Sequence, residues 1–196
     1  MKELNRRAFL TLTGAALVAL SLAGCDDGPY TPPAPPAPPA PTTSKETELL
    51  TAINKVWKEK YEAKAVTHEQ LTLNQDAVGL IRGYGRVFEK ANETPHNVTT
   101  DDYAIVMQER GECEAEMVKK YGVDCLAGIA GIYERTSENV ATLECVYSCA
   151  DAAVRDFVGK LLSHPDSSKA EYISFYFPVV QGKTYMTAIV FLNSKP

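Results

Sequence analysis

A proline-rich run divides this chain into two parts. Residues 29–42 hold eight of the chain's 12 prolines, in the order PYTPPAPPAPPAPT. Proline lacks the backbone donor that helices and sheets require, and neighbouring prolines favour the extended polyproline II conformation. The run therefore predicts a spacer about 40 Å long, at about 3.1 Å per residue, between an N-terminal segment and a C-terminal domain. A role for its Pro-x-x-Pro repeats as a ligand for another protein is the alternative.

The C-terminal part, residues 45–196, is long enough to form one domain with a buried core. Residues 1–24 hold three of the 20 basic and one of the 25 acidic residues, so the remainder carries 17 and 24 and a net charge of −7. No basic patch with interleaved aromatic residues stands out, so nothing favours binding to nucleic acid. The acidic balance also disfavours direct binding to anionic lipid headgroups.

Apolar residues recur at helical spacing in several stretches of this domain. Asn74 is a suitable N-cap for the second stretch, and Gly111 and Gly122 are suitable ends for the third and fourth. The pattern predicts helices at residues 45–62, 74–91, 99–111, 114–120 and 151–162.

The strongest β signal lies near the C-terminus. Residues 171–179 and 184–192 are rich in Tyr, Phe, Ile and Val and flank Gln181-Gly182, which predicts a hairpin. Two more strands are expected at residues 125–133 and 139–147. The predicted helices come mostly first along the chain and the predicted strands mostly late. This order predicts an α+β fold, an α-β-α sandwich whose mostly antiparallel sheet is covered by helices.

The N-terminal segment resembles a bacterial lipoprotein signal peptide. Arg6-Arg7 precede a short apolar run that ends in Leu22-Ala23-Gly24-Cys25, and Arg6-Arg7-Ala8-Phe9-Leu10 also resembles the twin-arginine signal that exports folded proteins. The resemblance implies cleavage after residue 24 and acylation of Cys25, so that residues 25–44 link a lipid anchor to the domain. It also implies a protein anchored in the cell membrane or outer membrane, facing the periplasm or the exterior. A membrane-spanning helix is the weaker alternative, because residues 8–24 include Thr, Gly and Ser and a span needs about 20 strongly apolar residues.

Assigning Cys25 to lipid leaves four cysteines, Cys113, Cys125, Cys145 and Cys149. An even number in an exported domain predicts two disulfides, with three connectivities open. The most local pairing, Cys113 with Cys125 and Cys145 with Cys149, is preferred, although a four-residue spacing on one helix would strain the second bridge. Free buried thiols are the main alternative, and a zinc site is less favoured.

The chain has three histidines, and two of them directly follow apolar helices. His96 comes after the second predicted helix and His164 after the last, where an imidazolium would gain from the helix dipole. This structural explanation is the simplest one for both. His68 lies in a polar loop and is expected to be solvated.

Five short motifs resemble, in order, those of the CAP superfamily of cysteine-rich secretory, antigen 5 and pathogenesis-related proteins, also called SCP-like domains. The similarity extends from about residue 47 to 192, nearly the whole domain. The motifs are LLTAIN, LTLNQD, SENVA, AVRDF and YMTAIVF, at residues 49–54, 71–76, 137–141, 153–157 and 185–191.

The resemblance implies a central cavity lined by His96, Glu138 and His164. Two imidazoles and a carboxylate suit zinc or another divalent metal, so the resemblance implies a metal cavity.

Several positions depart from the family pattern. Ser137 and Phe157 replace the usual Gly and Trp, and residues 112–136 look like an insertion. Lys160 stands where some members have a second cavity glutamate, a role that Asp166 or Glu171 would have to take.

The resemblance implies an extracytoplasmic module that binds a peptide, lipid or protein partner, and it implies no catalytic residue. One alternative is a metal-assisted hydrolase with Glu138 as the base. Another is a structural cell-envelope lipoprotein whose histidines only stabilise the fold. The sequence contains no Gly-x-Ser-x-Gly, His-Glu-x-x-His or phosphate-loop motif.

Overall fold

Amphipathic segments form four helices and nine short strands in residues 44–135 and 138–195, which this computed structural model describes. The predicted signal peptide, Cys25, the proline-rich run and Ser137 lie outside the described residues. Within them, no helix has the length and apolar character needed to cross a membrane. The helices are α1 (Ser44–Glu62), α2 (Gly79–Ala91), α3 (Thr100–Tyr121) and α4 (Asp151–Leu161).

The strands form three sheets. A four-stranded sheet has the order β1-β6-β9-β3, a three-stranded sheet the order β2-β5-β4, and β7 pairs with β8. All neighbours are antiparallel except β1 and β6. The strands are β1 (Thr72–Leu73), β2 (His96–Asn97), β3 (Leu126–Ala130), β4 (Ile132–Arg135), β5 (Val140–Leu143), β6 (Tyr172–Tyr176), β7 (Val179–Val180), β8 (Lys183–Thr184) and β9 (Thr187–Phe191).

The core lies on both sides of the four-stranded sheet, as the alternating side chains of β9 show. Ala188 and Val190 pack in one apolar cluster with residues of α1 and α4. Ile189 and Phe191 pack in another with residues of α2 and α3. Helices therefore cover both faces of the sheet, and the expected α+β fold is confirmed.

Helix α1 begins and ends within a residue of its predicted bounds. The second predicted helix is divided, because Asn74 caps a short 3₁₀ turn at Gln75–Ala77 that precedes α2. The Asn74 side chain accepts a hydrogen bond from the Asp76 backbone at 3.0 Å.

The third helix is longer than predicted, because Gly111 does not end it. Helix α3 continues to Tyr121, and Gly122, with a φ of 98°, follows its last residue. A glycine inside a helix costs about 1 kcal/mol. The buried side chains of Cys113, Met117 and Tyr121 continue the helical stripe beyond Gly111, and their burial outweighs this cost.

The strand predicted at residues 125–133 is also divided. Gly131 has a φ of 89°, and a β-carbon there would collide with the Met186 carbonyl. The chain bends at this glycine, so that β3 pairs with β9 and β4 pairs with β5. The C-terminal hairpin is confirmed, with Gln181 and Gly182 both at positive φ in its turn.

The four cysteines of the domain are free thiols, in contrast to the two expected disulfides. Cys113 and Cys125 are buried in the cluster formed with α2, α3 and β9, and the Cys113 thiol donates to the Asp76 carbonyl at 3.1 Å. Cys145 is buried in the cluster on the α1 and α4 side, whereas Cys149 is exposed. The preferred Cys145–Cys149 pair thus has its two sulfurs in different environments.

Candidate functional site

His96 lies in β2, between the end of α2 and the start of α3, and both of its ring nitrogens have carboxylate partners. Nδ1 is 2.6 Å from Glu93 Oε1, and Nε2 is 3.0 Å from Asp102 Oδ2. The side chain is only 12% exposed. In this arrangement neither nitrogen can coordinate a metal or accept a substrate proton unless one carboxylate moves.

Asp102 is held in place by the start of α3. The Thr99 side chain accepts the Asp102 backbone N–H, and the Thr99 backbone N–H and hydroxyl both donate to Asp102 Oδ2, at 3.1 and 2.7 Å. This is a capping box with aspartate at the third helical position. A helix cap therefore also positions the carboxylate that binds His96.

The two charged groups stabilise each other. Burial alone would raise the pKa of Asp102, but hydrogen bonds from Thr99 and His96 outweigh it and lower the pKa to about 2. Burial alone would lower the pKa of His96, but the hydrogen bonds to Glu93 and Asp102 outweigh it and raise the pKa. The arrangement therefore favours an imidazolium between two carboxylates.

A second polar cluster surrounds Glu134 on β4. The Tyr84 hydroxyl from α2 donates to Glu134 Oε2 at 2.5 Å, and the Tyr103 hydroxyl from α3 donates to Oε1. The hydrogen bond to Glu134, followed by burial, raises the pKa of Tyr103 to about 12, so the hydroxyl remains a donor.

These two clusters lie on one face of the three-stranded sheet. His96 and Glu134 both pair with Ala141 of the central strand β5, so the three side chains form a row. Asp102 and Tyr103, which bind the two outer members of that row, are adjacent in α3. We call Glu93, His96, Asp102, Glu134, Tyr84 and Tyr103 the polar row.

Glu138 and His164, the other two predicted cavity residues, have different partners. Glu138 is exposed and pairs with Arg135 at 3.3 Å. His164 is exposed after α4, and its Nε2 lies 3.3 Å from the Ile129 carbonyl of β3. Among residues 44–135 and 138–195, no group of three His, Cys, Asp or Glu side chains is arranged to hold a metal ion.

Two of the positions considered for a second cavity carboxylate have ion-pair partners nearby. Lys160 pairs with Glu144 at 3.2 Å, and Asp166 pairs with Lys169 at 3.1 Å. The Glu171 backbone N–H donates to Phe191, beside the sheet. His68 is exposed, with Nδ1 3.1 Å from the Thr67 hydroxyl.

Two residues of the CAP-like motifs have structural roles. The Asn54 side chain both donates to and accepts from the Leu71 backbone, at 2.9 and 2.8 Å, and so connects α1 to the start of β1. Asn74 caps the following 3₁₀ turn and donates to the Tyr121 hydroxyl at 2.7 Å. Both asparagines thus stabilise the fold.

The sequence indicated only one member of the polar row, His96. The spacing of Thr99 and Asp102 is a visible capping signal, and it could have identified Asp102 as a fixed carboxylate near His96. Glu134 had no such signal, because its position depends on strand register.

No family model matches this chain, and neither the curated proteins nor the solved structures contain a match to it.

Proposed function

We propose that this protein is a lipid-anchored extracytoplasmic module that binds a peptide, lipid or protein partner through a CAP-like domain. The carrying observation is the order of features along the chain: a lipobox-like LAGC ending at Cys25, a proline-rich run, and a folded domain from Ser44 onward. This order suits a domain that works at a distance from its anchor. The three layers of helix, sheet and helix are compatible with the resemblance.

The partners of the candidate site residues favour binding over hydrolysis. His96 has both nitrogens bound to carboxylates, and Glu138 pairs with an arginine at the surface. A hydrolase that used them would first have to break these contacts. The polar row instead holds β2 and β4 against α2 and α3, and a fold fixed in this way lowers the entropic cost of binding a partner.

The anchor is tested by replacing Cys25 with serine in the full-length chain. We expect the unchanged protein to incorporate labelled palmitate and to sediment with membranes until detergent is added, because two acyl chains suffice for stable anchoring. Cys25→Ser should lose both properties. Cys149→Ser is the matched control, because Cys149 is the exposed cysteine of the folded domain, and it should retain both. Retention of Cys25→Ser in the membrane fraction would contradict the proposed anchor.

A metal-binding form of this proposal requires His96 to exchange a carboxylate for the ion. Titration of the full-length protein with zinc at pH 7 measures whether such an ion binds. His96→Ala and Glu138→Gln are titrated in parallel. We expect casein turnover by the zinc-loaded protein to be at background, and Glu138→Gln to leave it unchanged. Turnover that falls in Glu138→Gln would instead establish the hydrolase.

A further inference from the structure

We draw no further inference here: the strongest candidate, the solvent-facing side of the three-stranded sheet around Tyr133 and Arg135, carries nothing because no feature of the described residues shows what covers it.

Discussion

The α1 and α4 side of the domain and the polar row are held together by different chemistry. Between α1, α4 and the four-stranded sheet, the contacts are mainly apolar, and Trp57, Phe157 and Ile173 are fully buried. At the polar row, carboxylates, hydroxyls and one imidazole connect the three-stranded sheet to α2 and α3. Apolar burial supplies most of the free energy of folding, whereas a net hydrogen bond supplies about 1 kcal/mol. A large apolar side chain of the first region should therefore contribute more to stability than a single hydrogen-bonding group of the polar row.

The largest effect is expected from Phe157→Ala on the apolar side. Phe157 is fully buried in α4, so the variant should lose about 3–5 kcal/mol in free energy of unfolding. Urea unfolding followed by circular dichroism measures the loss. Tyr61→Ala is the control, because this α1 side chain is 42% exposed and its loss should have little effect. Equal losses in the two variants would mean that the apolar side does not dominate stability.

A smaller effect is expected from Glu134→Ala in the polar row. The change leaves the Tyr84 and Tyr103 hydroxyls without their acceptor, at a cost of about 1–3 kcal/mol in free energy of unfolding. Glu138→Ala removes the same group from an exposed site in the turn between β4 and β5 and should stay within about 0.5 kcal/mol of the unchanged protein. Equal urea midpoints for Glu134→Ala and Glu138→Ala would contradict the expected cost of leaving the two tyrosine hydroxyls without an acceptor.

The sequence predicted the apolar side well and the polar row poorly, for a physical reason. Helical periodicity in Leu49, Ile53 and Trp57 depends on neighbours along the chain, so α1 could be predicted without knowing its partners. The row of His96, Ala141 and Glu134 depends on the register of three strands, and β2 is distant in sequence from the β4–β5 hairpin with which it pairs. The resemblance pointed to Glu138, four residues beyond Glu134. The carboxylate that β4 places beside Ala141 is Glu134.

The charge on His96 should make part of the stability depend on pH. Because the pKa of His96 is raised in the folded state, its contribution is complete below its unfolded value of about 6.5 and is lost as pH rises through the folded value. Because the pKa of Asp102 is lowered to about 2, its contribution is present above about 3.8 and is lost as pH falls towards 2. The pair should therefore stabilise the domain most between about pH 4 and 6.5.

Urea midpoints measured from pH 3 to 9 for the unchanged protein and for His96→Gln test this expectation. The difference between them should be largest in that window and shrink on both sides of it. His68→Gln, at an exposed histidine, should show no such window. A difference that grows steadily above pH 7 would mean that the neutral imidazole is the stabilising form.

The smallest effect is expected from His164→Ala, and it separates the two histidines that the resemblance grouped together. His164 is exposed, and its ring makes one long hydrogen bond, 3.3 Å, to the Ile129 carbonyl. Its loss should cost no more than about 1 kcal/mol in free energy of unfolding, because water can replace the donor. His96 has two carboxylate partners and little exposure, so His96→Ala should be the more destabilising variant.

If the two histidines instead shared a metal ion, either substitution would weaken zinc binding to the same extent. Parallel zinc titrations of His96→Ala and His164→Ala therefore distinguish a shared cavity from two separate structural contacts. Equal losses of affinity would overturn the separation, whereas unchanged heats in His164→Ala would support it.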